Sequence, residues 1–351
     1  LQPKGVAERL PNVLYSAQRN SLSAKELKKD KELYIMAIQY ASRGAERADL
    51  GEIFSQFNAV EEGFVTTQVL PVLELGKQAA AISVRMRENL KRADAKHSNG
   101  GAFNRINLNV EDLTYQTIDY GLEELITDTD RENYVTDFDA DAEALANVRY
   151  HMFLEQEIRG ATALFNGTTF TGAALYTDVS AAPWDAAGSD AIGHILAARD
   201  QIRANVGMYP TSMLIGAVTA TNLLNNTAIR AAFSPTAVPT VALLMAQLGA
   251  LVGIPELIVG EKVYDSALEG QDFSGSDIWS DDYALLFVKQ TLGPKSGGLG
   301  RTITWDRAVD GVVSVDMYRE NQTASDVVRV RQFQQEKLFD PYYGHLLKVD
   351  A

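Results

Sequence analysis

Three carboxylates at alternate positions, Asp137, Asp139 and Asp141, have the spacing that opens a calcium-binding loop. Such a loop also needs glycine at its sixth position for the sharp turn and glutamate at its twelfth for bidentate ligation. Those positions hold Ala142 and Val148, so the triplet reads as acid placed at the positive end of a helix. His151 and Glu155 lie four apart, but a zinc helix would need a second histidine, and none is there. They read as a local pair on one helix face. Gly293-Pro294-Lys295-Ser296 resembles the end of a phosphate loop, with proline where the glycine before the lysine belongs. The chain contains no dinucleotide-binding glycine pattern and no nucleophile elbow. His97, His194 and His345 form no recognisable cluster, and no carboxylate pair is singled out for acid–base work. No catalytic residue, cofactor site or metal site is expected.

Charge is the stronger signal. Residues 77–105 carry Lys77, Arg85, Arg87, Lys91, Arg92, Lys96 and Arg105 against Glu88 and Asp94, a net of +5. Residues 111–143 carry twelve acids against Arg131 alone, a net of −11. A basic stretch beside an acidic body suggests a subunit that grips copies of itself, since opposite patches steer and register such contacts. The candidates for inter-subunit contact are Arg85, Arg87, Lys91, Arg92 and Lys96 on one side and Glu123, Glu124, Asp128 and Asp130 on the other. The alternative is two solvated faces of one monomer.

The elements that would position these residues follow from periodicity. The chain of 351 residues can bury a substantial core, and its 46% hydrophobic and 22% charged content is that of a globular protein. A net charge of −14 argues against a general nucleic-acid-binding protein. There is no cysteine, which removes disulfides and thiolate chemistry. No apolar run is long enough to span a membrane, and no signal-peptide pattern is present at Leu1. Residues 1–50 are polar and mildly basic, and the first 22 lack periodicity, as in an extended arm. Residues 64–75 read as one or two buried strands. Ile82, Val84 and Met86 alternate with polar residues, Ser98-Asn99-Gly100-Gly101 makes a tip, and Ile106, Leu108 and Val110 alternate on the return. So long and polar a ribbon is marginal alone and must lie on its own body or a neighbour. A helix is predicted over about 139–166, stopped by Asn166-Gly167, and a second amphipathic helix starts at Ser189 or Asp190 and closes at Gly207. Short strands and helices then alternate to about residue 305, a mixed α/β unit, and the tail is strand-rich.

That order of parts, together with Trp184-Asp185 leading into DAIGHILAARDQIRANVGMYPTSMLIG (190–216), then GIPELIVGEKVYDSA (253–267), DIWSDDYALLFV (277–288), LGRTITW (299–305) and SDVVRVRQFQQEKL (325–338), resembles the major capsid proteins of tailed bacteriophages, the Hong Kong 97 type fold. The resemblance covers roughly residues 55–350 and is strongest after 184. It implies an α+β fold with an N-terminal arm (1–57), a peripheral domain (58–75, 126–189 and 306–351) built on a long spine helix, an extended E-loop (76–125) and a mixed α/β axial domain (190–305). It also implies a structural, non-enzymatic subunit of hexamers and pentamers in an icosahedral virion shell, assembled in the host cytoplasm around double-stranded DNA. The implied partners are a portal protein, scaffolding and decoration proteins, and no membrane. Some members of the family weld subunits by a Lys–Asn isopeptide bond; Lys91 and Lys96 match no such motif and read as surface lysines. The rival expectations are an encapsulin nanocompartment or gene-transfer particle of the same fold, and an α/β enzyme.

Overall fold

The computed structural model describes residues 63–85, 87–96, 101, 103–134, 140–186, 188–232, 241–290, 296–307 and 313–350, together with the short strand Ala45–Glu46. The rest of the arm, Asp137, Asp139, His97 and residues 293–295 lie outside these residues. In chain order the strands are β1 (Ala45–Glu46), β2 (Val72–Leu75), β3 (Ala79–Arg85), β4 (Val110–Gln116), β5 (Ile118–Thr127), β6 (Tyr176–Asp178), β7 (Ser212–Gly216) and β8 (Glu256–Gly260). They continue as β9 (Val263–Asp265), β10 (Gly275–Asp277), β11 (Tyr283–Phe287), β12 (Gly300–Trp305), β13 (Val313–Glu320), β14 (Ser325–Leu338) and β15 (Gly344–Lys348). The helices are α1 (Thr66–Val69), α2 (Asp128–Tyr134), α3 (Ala140–Leu164), α4 (Ala191–Val206), α5 (Ala217–Asn225), α6 (Thr227–Ala232) and α7 (Val241–Val252).

One sheet runs β1-β13-β14-β12-β2, with β5 also paired to β14. The 14-residue β14 is long enough to serve β13 over 325–332, β5 over 325–334 and β12 over 334–338. Helix α3 lies across β14 and β5. Its Leu145, Val148 and Met152, spaced one turn apart, meet Ile126, Val315, Val328 and Val330 in a buried layer. A second sheet runs β6-β15-β11-β7-β8. Strands β7 and β11 are buried on both faces, which is why MLI and ALLF read as unbroken apolar runs. Helix α4 packs there through Ile195, Ala198, Ile202 and Val206. It starts where the sequence placed it: the Asp190 carboxylate accepts the Gly193 N–H at 2.9 Å. It ends at Gly207, whose φ of 74° is the left-handed turn that glycine adopts freely.

One buried carboxylate links the two units. Glu157, in the middle of α3 and 1% exposed, accepts the Val65 N–H (2.9 Å), the Thr66 N–H (2.9 Å) and the Trp279 indole N–H (2.7 Å). This corrects the expectation of one or two strands over 64–75. Residues 66–69 are a turn of helix whose leading N–H groups Glu157 holds, and only Val72–Leu75 is strand. Local β propensity yields to a tertiary hydrogen bond from a residue 91 positions away. The close approach of α1 to α3 also requires Gly160, where a Cβ would stand 2.3 Å from the Thr66 hydroxyl.

Among the described residues, no helix is long and apolar enough to cross a membrane.

Candidate inter-subunit surface

The basic ribbon has two parts. Its base is the antiparallel pair β3/β4, running from Ala79 opposite Gln116 to Arg85 opposite Val110. Ile82, Val84 and Tyr115 on one face are buried against Ile303 and Phe339 of the same chain. The base therefore docks on its own body and needs no neighbour for order. The return strand was expected over residues 106–110 but begins only at Val110. The buried contacts of Ile82 and Val84 fix a register that pairs them with Leu113 and Glu111. The outer part, 91–96 and 103–109, has no strand partner among the described residues. Asparagines tie its two limbs together: Asn89 Nδ2 donates to the Asn109 carbonyl (2.6 Å), Asn109 N–H donates to Asn89 Oδ1 (2.8 Å), and Asn104 Nδ2 donates to the Asp94 carbonyl (2.8 Å). Residues 118–127, most of them within the span 76–125 expected for the E-loop, pair with β14 in the main sheet.

The five basic candidates are not equivalent. Arg85 is exposed at the end of β3. Arg87 is turned inward, its guanidinium 3.5 Å above the Tyr342 ring, where it anchors the root of the loop. Lys91, Arg92 and Lys96 are exposed on the outer part, with Arg105 on the opposite limb. Met86, between the two arginines, lies outside the described residues.

The acidic candidates are spent largely within the chain. Arg319 holds both oxygens of Asp128, at 2.5 and 2.6 Å, and this keeps the Asp128 carboxyl below the ordinary carboxylate range while raising Arg319. Asp130 accepts from the Thr127 hydroxyl (2.6 Å), Glu124 from Asn147 (2.6 Å) and Glu123 from the Tyr318 hydroxyl (3.1 Å). Asp119 pairs with Arg331. Asp141, expected to oppose the dipole of the long helix, is in its first turn and bonds Arg131 at 2.6 Å. Within one chain the structure does not bring the basic and acidic candidates together. It gives most of the acids arginine, amide or hydroxyl partners within the same chain, a pairing that charge counting along the sequence cannot show.

Beside β5 a groove of about 410 Å³ is lined by Leu122, Glu123, Glu124, Asn147, His151 and Glu155. Glu123 and Glu124 point to opposite faces of β5, so the groove wraps the edge of that strand. Among the described residues, no group of three or more His, Asp or Glu side chains is placed to hold a metal.

Sequence reasoning passed over a second projecting segment. The hairpin β9/β10 carries Leu268 and Phe273, 81% and 74% exposed, at its turn. Asp265 builds that turn by accepting the Ala267 and Ser274 N–H groups, which lowers its own carboxyl's proton affinity. The signal was present as two apolar residues in an acidic, glycine-containing stretch.

No family model matches the chain. In sequence it is similar to the major capsid protein of Pseudomonas phage JBD67, 24% identical over 260 residues that span 71% of this chain and 80% of that protein. In structure it is similar to a phage-related protein from Bordetella bronchiseptica RB50, with a TM-score of 0.66, 17% identity and coverage of 87% of this chain and 97% of that one. The capsid protein of cyanophage P-SCSP1u aligns with a TM-score of 0.52 and 12% identity over 81% of this chain and 87% of that one. That of a native GTA particle aligns with a TM-score of 0.52 and 11% identity over 82% and 90%. The resemblance to phage major capsid proteins, read over roughly residues 55–350, is borne out by these relatives, and the chain has the mixed α/β fold of phage and phage-like capsid shells.

Proposed function

We propose that this chain is the structural major capsid protein of a tailed bacteriophage, assembling with copies of itself into the pentamers and hexamers of an icosahedral shell around double-stranded DNA. The observation that carries this reading is a capsid-type fold from which a cross-tied, basic loop stands off with its apolar side chains in solvent. Ile106 and Leu108 are 78% and 61% exposed, which is costly for a subunit that remains alone. In this reading residues 1–57 are the arm, 58–75 with 126–189 and 306–351 the peripheral domain, 76–125 the E-loop and 190–305 the axial domain. Portal, scaffolding and decoration proteins are its partners in the virion, and its role is structural, not enzymatic.

Similarity to the capsid protein of a GTA particle favours a second reading, a shell of cellular origin. Electron microscopy of the purified protein tests both. Closed particles support a shell, and soluble subunits at all concentrations refute it. Nuclease-protected DNA of one defined phage-genome length selects the phage; heterogeneous host fragments or protein cargo select a gene-transfer particle or an encapsulin.

A further inference from the structure

Among the described residues, the four most exposed large apolar side chains are Leu268 (81%), Ile106 (78%), Phe103 (76%) and Phe273 (74%). They sit on only two segments. Ile106 and Phe103 belong to the outer part of the loop, and Leu268 and Phe273 to the turn of the β9/β10 hairpin. The two segments have opposite charge. Residues 87–105 carry Arg87, Lys91, Arg92, Lys96 and Arg105 against Glu88 and Asp94, a net of +3. Residues 261–277 carry Glu261, Asp265, Glu269, Asp272 and Asp277 against Lys262, a net of −4. All five acids of the hairpin are exposed, as are Lys91, Arg92, Lys96 and Arg105. The acids of residues 119–130, by contrast, already have partners within the chain: Asp119 with Arg331 and Asp128 with Arg319 by salt bridge, Glu123, Glu124 and Asp130 by hydrogen bonds from Tyr318, Asn147 and Thr127.

We infer that the β9/β10 hairpin of one copy docks on the outer basic limbs, 91–96 and 103–109, of a second copy, Leu268 and Phe273 covering Ile106 and Leu108 while Glu269 and Asp272 face Lys91 and Arg92. The inference rests on the self-assembly reading above and moves the acidic partner from β5 to the hairpin. Two different patches on one subunit make a head-to-tail contact, and such contacts close into rings when the rotation between copies allows. Apolar burial supplies the attraction and the charges set the register.

The absence of cysteine allows a clean test. A variant carrying both Leu268→Cys and Ile106→Cys, assembled and treated with a short bis-maleimide, is expected to give a ladder of covalent multimers on a denaturing gel. The pair Leu268→Cys with Leu125→Cys, which tests docking against β5, is expected to give none. Lys91→Glu with Arg92→Glu is expected to lower particle yield about tenfold by setting acid against acid. Adding Glu269→Lys and Asp272→Lys to the same chain is expected to recover most of it, a rescue that a merely structural role of these residues does not produce. Three results would overturn the inference and leave the shell reading standing. They are intact particles with no cross-link in the Leu268→Cys, Ile106→Cys variant, a stronger cross-link in the variant with Leu125→Cys, or a fourfold charge variant no better than the twofold one. Wild-type protein that never assembles would overturn both.

Discussion

Glu157 gives the sharpest test of how this fold is held. Its carboxylate is buried and serves three N–H donors from two other segments: Val65 and Thr66 at the start of α1, and the Trp279 indole. Glu157→Ala leaves all three donors without their acceptor. Each buried unpaired donor costs about 1–3 kcal/mol, which sets a ceiling of about 9 kcal/mol. Relaxation and entry of water reduce this to about 3–5 kcal/mol. Glu157→Gln keeps a carbonyl able to accept from Val65 and Trp279 but turns an NH2 group toward the Thr66 N–H, so one donor is orphaned, at about 1–3 kcal/mol. The assay is urea unfolding of the unassembled subunit, followed by tryptophan fluorescence and circular dichroism. Trp279→Phe alone and combined with Glu157→Ala completes a double-mutant cycle. A coupling of about 1–2 kcal/mol is expected for an indole hydrogen bond to a charged acceptor. If Glu157→Ala and Glu157→Gln both fall within about 0.5 kcal/mol of the parent, the carboxylate does not join the two units.

Three further outcomes are expected. His345 is buried, with Nδ1 donating to the Ala174 carbonyl and Nε2 accepting from the Thr177 hydroxyl, and burial lowers its pKa. The unfolded chain therefore binds more protons below about pH 6.5, so the stability due to neutral His345 is full above that pH and is lost as pH falls toward the folded value, by at most about 1.4 kcal/mol per pH unit. His345→Gln should flatten the difference in urea midpoint between pH 7.5 and 5.5, and an unchanged slope would refute this. Arg87→Ala should destabilise the subunit by about 0.5–1 kcal/mol through loss of its contact with Tyr342, whereas Arg85→Ala should leave stability within about 0.5 kcal/mol; equal effects in thermal unfolding would contradict the inward placement of Arg87. Calcium titration should reveal no tight stoichiometric site, because Arg131 occupies Asp141; a binding isotherm abolished by Asp139→Asn would overturn that reading.

Where apolar period and caps agree, the sequence was legible. Asp190 and Gly207 bound α4 as expected, α3 ends within two residues of the predicted stop, and short strands such as β7, β8 and β11 alternate with helices before residue 305 as read. The failures share one cause. Residues 64–70 have the composition of a strand and become a helical turn because a distant carboxylate holds their N–H groups. Ile106 and Leu108 alternate as a strand should, yet the ribbon pairs further along because Ile82 and Val84 must face Ile303. In both cases local pattern is overruled by a partner far away in sequence. The acidic contact candidates show a related effect. Charge counted along the chain ranks 111–143 as the strongest acidic surface. Arg319 and Arg331, roughly two hundred residues later, lie beside it in the sheet and take up Asp128 and Asp119.

The same pairing pattern separates two roles for charge in this molecule. On the main sheet, cross-strand neighbours of opposite sign, such as Arg329 with Asp316 and Arg331 with Asp119, pair within one chain. Their partly exposed geometry makes each worth about 0–1 kcal/mol, so they tune the sheet without building it. On the outer loop and the β9/β10 hairpin, charges of one sign accumulate around exposed apolar side chains. An isolated chain gains nothing from that arrangement: like charges repel, and Ile106 and Leu268 remain in water. In the docking inferred above, the arrangement becomes favourable when the opposite segment of another copy approaches. Each contact can then be weak, because the stability of a closed ring comes from many identical contacts made together. The two buried cores hold each sheet within the chain, while Ile106, Leu108, Leu268 and Phe273 stay in solvent.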